Sequence, residues 1–228
     1  MIIGICGFIG SGKDTVADYL VNFHEFRRES FASTLKDAVA AVFGWDRMLL
    51  EGRTKEAREW REKVDPWWAE RLSMPTLTPR WVLQYWGTEV CRKAFHDDIW
   101  IASLENKIRN SKDNVVISDC RFPNEIESIR NAGGKIIWVQ RGDLPDWYGL
   151  ALQANEGYNF AMQELKMKKI HASETAWVGT KFDFIVDNNG TIDDLYNQAA
   201  SIISNEIALT PSNPSLSQYL STVGTDCF

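Results

Sequence analysis

An α/β fold in three layers, helices covering both faces of a central parallel sheet, is what this sequence predicts. Three observations support it. A strand-like run at the N-terminus passes through a glycine-rich turn into an amphipathic helix. Short apolar runs, continuous and not alternating, recur between helical stripes, as strands buried on both faces of a parallel sheet require. At 228 residues the chain is long enough for one sizeable core and too short for two comfortable ones.

Met1 to Cys6 is the first strand, and Asp14 to Phe23 sets Ala17, Leu20 and Val21 on one helical stripe. Leu35, Ala38, Val39 and Val42 mark a second helix, and Ile101, Leu104 and Ile108 a third. Val115 to Ile117 then reads as a strand, Ile126 and Ile129 as a helix, Ile136 to Val139 and Phe182 to Val186 as strands, and Ile192 to Ile207 as the last helix. Two stretches break the alternation. Residues 44 to 80, charged and carrying Trp45, Trp60, Trp67 and Trp68, read as a helical insertion over the sheet. Residues 143 to 181 are a polar, mostly helical excursion between two strands, placed to serve as a mobile lid. The domain thus spans residues 1 to 207, and the Ser/Thr/Pro-rich tail, 208 to 228, is expected to be loosely ordered.

A formal net charge of −6 argues against a partner that is polymeric nucleic acid, whose binders concentrate excess Lys and Arg. Any anionic ligand must be held by a local basic cluster. The cysteines at 6, 91, 120 and 227 show neither zinc-site pairs nor a disulfide framework, which points to a reducing, cytoplasmic compartment. No stretch approaches the roughly eighteen consecutive apolar residues that span a bilayer, so no membrane association is expected.

The strongest motif is Gly7-Phe8-Ile9-Gly10-Ser11-Gly12-Lys13-Asp14-Thr15, a G-x-x-x-x-G-K phosphate loop that follows a strand and opens a helix. Gly7, Gly10, Ser11 and Gly12 let backbone N–H groups converge on phosphate oxygens, the helix N-terminus adds partial positive charge, and Lys13 reaches the transferable phosphate. A turn that binds nothing would leave the spacing and the lysine unexplained. After the lysine, where a Ser or Thr usually meets Mg²⁺, stands Asp14, with Thr15 next. Asp14 either helps to hold the metal, directly or through water, or complements the helix dipole.

A second acidic residue, Asp119, ends the apolar strand Val115-Val116-Ile117-Ser118, where it can face the metal or orient the phosphate loop. Its neighbour is Cys120 in place of the Glu with which hydrolytic ATPases commonly activate water, and no Asn-Lys-x-Asp guanine reader is present. Transfer to a bound acceptor is the remaining common chemistry. If that acceptor is itself a phosphate, its oxygen is ionised near pH 7 and needs no general base; what it needs is positioned Arg and Lys. Lys36, Arg80, Arg92, Arg121 and Arg141 sit at element boundaries, although each alone also fits a solvated surface charge. Arg121, two residues past Asp119, should point into the same crevice, so Lys13, Asp119 and Arg121 are the candidate catalytic residues.

On these residues the chain resembles the phage deoxynucleoside monophosphate kinases, relatives of the adenylate and guanylate kinases. The likeness runs through Gly12-Lys13-Asp14-Thr15, Phe31 to Lys36, Leu83 to Glu89, Asp119 to Glu125 and Asn188 to Thr191, and covers most of residues 1 to 207. It implies a P-loop kinase fold with an acceptor-binding insertion and a lid, and transfer from MgATP to a deoxynucleoside monophosphate. Asp14, Thr15 and Asp119 would then meet the metal, and Lys36, Arg80, Gln84 and Arg92 would build the acceptor pocket. Trp81 and Trp86 are available for base stacking or for the core; Gln84 reads a base edge or caps a helix turn. Asn188 and Gly190 would lie beside the adenine, while Thr191 and Asp194 are equally explained as a helix cap. His171, Ser173 and Glu174 are lid candidates. Small nucleotides are the implied partners, in a host cytoplasm if the protein is phage-encoded, with monomer and homodimer both open. Two other readings remain: a kinase for another small phosphorylated metabolite such as a coenzyme precursor, and a regulatory protein whose loop senses ATP.

Overall fold

Strand order fixes where a ligand can enter. The structure, a computed structural model, describes residues 1–109 and 111–209. Its five strands, β1 (Ile2–Cys6), β2 (Phe26–Glu29), β3 (Asn114–Ile117), β4 (Lys135–Gln140) and β5 (Phe184–Asp187), form one parallel sheet in the order β2-β3-β1-β4-β5. The chain leaves β1 toward one edge and later crosses it to build the other, so the order reverses at β1 and a crevice opens at its carboxyl end. The loops after β1, β3, β4 and β5 all open onto that end.

In chain order the helices are α1 (Lys13–Phe23), α2 (Ser33–Phe43), α3 (Arg47–Glu51), α4 (Lys55–Arg61), α5 (Pro66–Arg71) and α6 (Pro79–Gln84). A π-helical stretch, Tyr85–Lys93, continues α6. They are followed by α7 (Ile99–Ile108), α8 (Pro123–Asn131), α9 (Tyr148–Asn155), α10 (Asn159–Met167), α11 (Ala172–Thr175) and α12 (Ile192–Leu209). Helices α1 and α12 cover one face of the sheet, packing Val16, Leu20, Leu195 and Ala199 on Ile3, Ile5 and Val139. On the other face Ile101 and Leu104 of α7, with Ile126 and Ile129 of α8, meet Ile117, Ile136 and Trp138. Helices thus cover both faces of one parallel sheet, the three-layer arrangement that the motifs predict. From Thr210 the expected loose tail lies outside the described residues. No helix among those residues is long and apolar enough to cross a membrane.

Four of the five strands coincide with apolar runs; β2 does not. Its sequence, Phe-Arg-Arg-Glu, buries only Phe26, because an edge strand pairs on one side and its polar side chains reach out to ion pairs.

The insertion is helical in short pieces, and capping chemistry explains the length. Asp46, Thr54, Asp65 and Thr78 each accept backbone N–H bonds at a helix start, Pro66 and Pro79 occupy first-turn positions, and Gly52 ends α3 at φ 70. Its apolar faces gather Trp45, Leu50, Leu77 and Val82 against Leu35, Val39 and Trp100. The excursion of residues 143 to 181 folds as α9 to α11 and adds Ala151, Ala161, Leu165 and Trp177 to the core on the α7/α8 face.

Candidate active site

The phosphate loop is built as its glycines require. Gly12 sits at φ 101, where a side chain would be strained and would run into the Asn188 carboxamide. At Gly7 a Cβ would come within 2.5 Å of the Val139 carbonyl oxygen. Asn188 pins the loop from the β5 side by donating its Nδ2–H to the Ser11 carbonyl at 2.8 Å. Lys13 lies back along the loop, its Nζ donating to the carbonyls of Gly7 (2.8 Å) and Phe8 (2.7 Å). Burial, and then the Arg121 guanidinium, lower its pKa. Phe8 seats the loop on the excursion, with its ring centroid 4.7 Å from that of Trp177 and 5.5 Å from that of Trp147.

Beyond the loop, Arg28 at the end of β2 binds Asp14, Asp18 (2.7 Å) and the Ser118 hydroxyl (2.7 Å), tying the start of α1 to the end of β3. Asp119 accepts the Phe31 N–H at 3.2 Å and the Ala32 N–H at 3.5 Å, and burial pushes its carboxyl above the usual range. Arg121 donates to Glu174 (2.8 Å) and to the Ser173 hydroxyl (3.3 Å) on α11.

Three cavities meet around these side chains. The first, about 400 Å³, lies beside the loop and is lined by Gly10, Gly12, Lys13, Thr15, Asn188 and Gly190, with Arg141 at its wall. The second, about 830 Å³, faces Lys13 and holds eight cations, residues 13, 28, 36, 47, 53, 58, 80 and 121, against five carboxylates, residues 14, 29, 37, 51 and 119. That excess is the local basic cluster an acidic chain needs if it is to hold an anion. The third, about 500 Å³, has the aromatic walls Phe31, Trp100 and Phe122. Lys13 and Asp14 line both the first and the second; Asp119 and Arg121 line both the second and the third.

The acceptor candidates divide between these spaces. Lys36 and Arg80 line the basic cavity, where Lys36 meets Glu51 at 2.8 Å and Arg80 meets Glu62 at 3.1 Å. Burial raises the Glu51 carboxyl, but the bonds from Lys36 and from Arg47 outweigh it and bring the pKa down to about 2. Arg92 lines the aromatic pocket, its guanidinium 5.2 Å over the Phe122 ring and 3.1 Å from Glu125. Glu125 also accepts the N–H groups of Arg121 (2.9 Å) and Phe122 (3.2 Å), and burial, then Asp119, push its carboxyl up to about 7. Gln84 is exposed and lines none of the three cavities. Trp81 stacks on Tyr85 and Trp86 stands edge-on to Phe43, both packed against the core of the insertion.

Sequence reasoning missed Arg28, Arg47, Arg58, Glu51, Trp100 and Glu125. Glu125 alone left a signal: it falls three residues after Phe122 at a helix start with Pro123, the position from which a carboxylate reaches back to the N-cap N–H, as it does here.

The sequence family described as Deoxynucleotide monophosphate kinase matches residues 70–146, a stretch that holds Arg92, β3, Asp119 and Arg121. A protein of Acanthamoeba polyphaga mimivirus, provisionally named a deoxynucleotide monophosphate kinase, is 29% identical over 219 residues, which covers 90% of this chain and 97% of that protein. The Deoxynucleoside-5'-monophosphate kinase of Escherichia phage T5 is 28% identical across 57% of this chain and 72% of its own length. The resemblance read from the sequence therefore holds. Among solved structures, shikimate kinase from Aquifex aeolicus (TM-score 0.45, 10% identity, 92% of this chain and 99% of its own) and dephospho-CoA kinase from Campylobacter jejuni (TM-score 0.38, 16% identity, 90% and 96%) are also similar. At those scores they add nothing to the strand order.

Proposed function

We propose that this chain is a nucleoside monophosphate kinase that moves the terminal phosphoryl group of MgATP onto a deoxynucleoside 5'-monophosphate. The observation that carries the reading is the sharing of walls: Lys13 joins the loop-side cavity to the basic one, and Asp119 and Arg121 join the basic one to the aromatic pocket. A donor entering past Asn188 and a nucleotide acceptor seated among Phe31, Trp100 and Phe122 would meet between Lys13 and Arg121.

In that arrangement Lys13 exchanges the Gly7 and Phe8 carbonyls for a phosphate oxygen, and Arg121 exchanges Glu174 for the transferring group. Lys36 and Arg80 face the acceptor's phosphate, which is already ionised and needs no base, so the work is positioning and charge stabilisation. Asp14, Thr15 and Asp119 present only oxygen donors, which suits a hard cation that keeps waters and phosphates as its other ligands. Among the described residues no three His, Cys, Asp or Glu side chains converge as a metal cage, and magnesium held through phosphates requires none. Asp14 is ion-paired with Arg28, so Thr15 and Asp119 are the better-placed contacts. Bound Mg²⁺ would neutralise charge building on the phosphate oxygens.

The test is ADP release with MgATP and each of the four deoxynucleoside monophosphates in turn, with small phosphorylated coenzyme precursors as controls. Release that requires a deoxynucleotide and yields its diphosphate is expected. Release only with a control acceptor, or ATP binding with no acceptor-dependent turnover, overturns the proposal.

A further inference from the structure

Resting on that reading of the site, we infer that Arg28 is a positioning residue for the donor: it neutralises Asp14, the carboxylate beside Lys13, so that a nucleoside triphosphate can settle on the phosphate loop. The loop's usual form carries a neutral Ser or Thr directly after its lysine. Here a carboxylate takes that place, and it lines both the loop-side cavity and the basic one. Its field reaches Lys13, whose pKa is lowered by burial and then by Arg121, with Asp14 the foremost carboxylate opposing them. Left unbalanced, that charge would repel the terminal phosphates that Lys13 is placed to meet.

Arg28 supplies the balance from outside the motif, at the end of the edge strand β2, with its side chain 17% exposed. One terminal nitrogen donates to Asp18 at 2.7 Å; the other donates to the buried Ser118 hydroxyl at 2.7 Å and to Asp14. The bonds to Asp18 and Ser118 hold the guanidinium at the start of α1 independently of Asp14, so the cation is oriented before any ligand arrives. Among the described residues no other cation pairs with Asp14. The same bridge also ties α1 to the end of β3, which would serve the fold whatever binds. The two roles are separable, because removing the charge of Asp14 abolishes the need for neutralisation and does nothing for the bridge.

The test is the calorimetric affinity for MgATP without acceptor, with urea midpoints alongside, for the wild type, Arg28→Met, Arg28→Lys, Asp14→Asn and Arg28→Met/Asp14→Asn. Arg28→Met should weaken MgATP binding about tenfold, as one unbalanced charge near the phosphates of a solvated site would. Arg28→Lys, which keeps the charge and loses the fork, and the double variant should each stay within about threefold of the wild type. Asp14→Asn should bind MgATP more tightly than the wild type, since it leaves the guanidinium unopposed. The midpoints of Arg28→Met and of the double variant should fall together, because the bridge is lost in both. A double variant that binds no more tightly than Arg28→Met would show a cation that meets phosphate itself or only ties the elements. Asp14→Asn weaker than the wild type would show a carboxylate that serves the metal. Either result overturns the inference, as does Arg28→Met within about twofold of the wild type, and none of them touches the kinase reading while acceptor-dependent turnover persists. A wild type without affinity for MgATP overturns both.

Discussion

Replacing Glu125 by Gln should change how the fold responds to pH. The carboxyl is 3% exposed, and burial and the neighbouring Asp119 raise its pKa from 4.5 to about 7, although Arg92 and the Arg121 N–H pull the other way. Below about pH 4.5 Glu125 is protonated in both folded and unfolded chains. Between 4.5 and about 7 the unfolded chain releases the proton while the folded one keeps it, so stability falls as pH rises and the contribution is gone above 7. Each pH unit of that interval carries about 1.4 kcal/mol, which amounts to about 3 kcal/mol in all. Burial this deep leaves little solvent screening to reduce the figure. Glutamine keeps the shape and does not titrate. Urea denaturation of wild type and Glu125→Gln from pH 4.5 to 8 isolates the effect, since shared titrations cancel in the difference. The stability advantage of the wild type over the variant should shrink by about 3 kcal/mol across the range. Two curves that stay parallel within about 0.5 kcal/mol would refute a buried, proton-retaining Glu125.

Lys13→Ala should abolish acceptor-dependent ADP release, by about a thousandfold or more, while the unfolding midpoint moves little, because its Nζ bonds go only to loop carbonyls; a variant that turns over normally would show that the loop does not hold the donor. Gly12→Ala forces a side chain onto φ 101 and into Asn188, so both ATP affinity by calorimetry and about 1–3 kcal/mol of stability should be lost; unchanged affinity would mean that the loop can move aside. Trp177→Ala empties the 1% exposed centre of the cluster that seats Phe8 and should cost about 3–5 kcal/mol in denaturation; a loss under about 1 kcal/mol would show the excursion to be loosely attached.

What the sequence reveals and hides follows from the range of the interactions. The phosphate loop is legible because its backbone is dictated locally, by glycines at 7, 10 and 12 that all adopt positive φ. Strands β1, β3 and β4 are legible because both of their faces are buried, which writes a continuous apolar run. β2 is hidden for the converse reason: Arg27, Arg28 and Glu29 belong to ion pairs with residues as distant as Asp113 and Lys107. The insertion reads as helical from its charge and tryptophan content, but nothing local shows that Arg47 and Arg58 face the same cavity as Lys13.

The candidate cations share a further property that spacing could not reveal. Lys36 lies on Glu51, Arg80 on Glu62, Arg92 on Glu125 and Arg121 on Glu174, each within 3.1 Å. Three of them, Lys36, Arg80 and Arg121, are among the eight cations around the basic cavity, so a chain of net charge −6 holds that cluster partly by pairing its members with carboxylates. On the proposed kinase reading, a phosphate arriving at Lys36 or Arg121 in the basic cavity would replace a carboxylate already in place. It gains only the difference between two charge-assisted bonds, but it finds the cations oriented. For Arg92 the partner is buried and held by two backbone N–H groups as well. The carboxylate side chains differ in burial, 18% and 24% exposed for Glu174 and Glu51 against 4% for Glu125, so on the proposed kinase reading the first two pairs are the ones a phosphate would open.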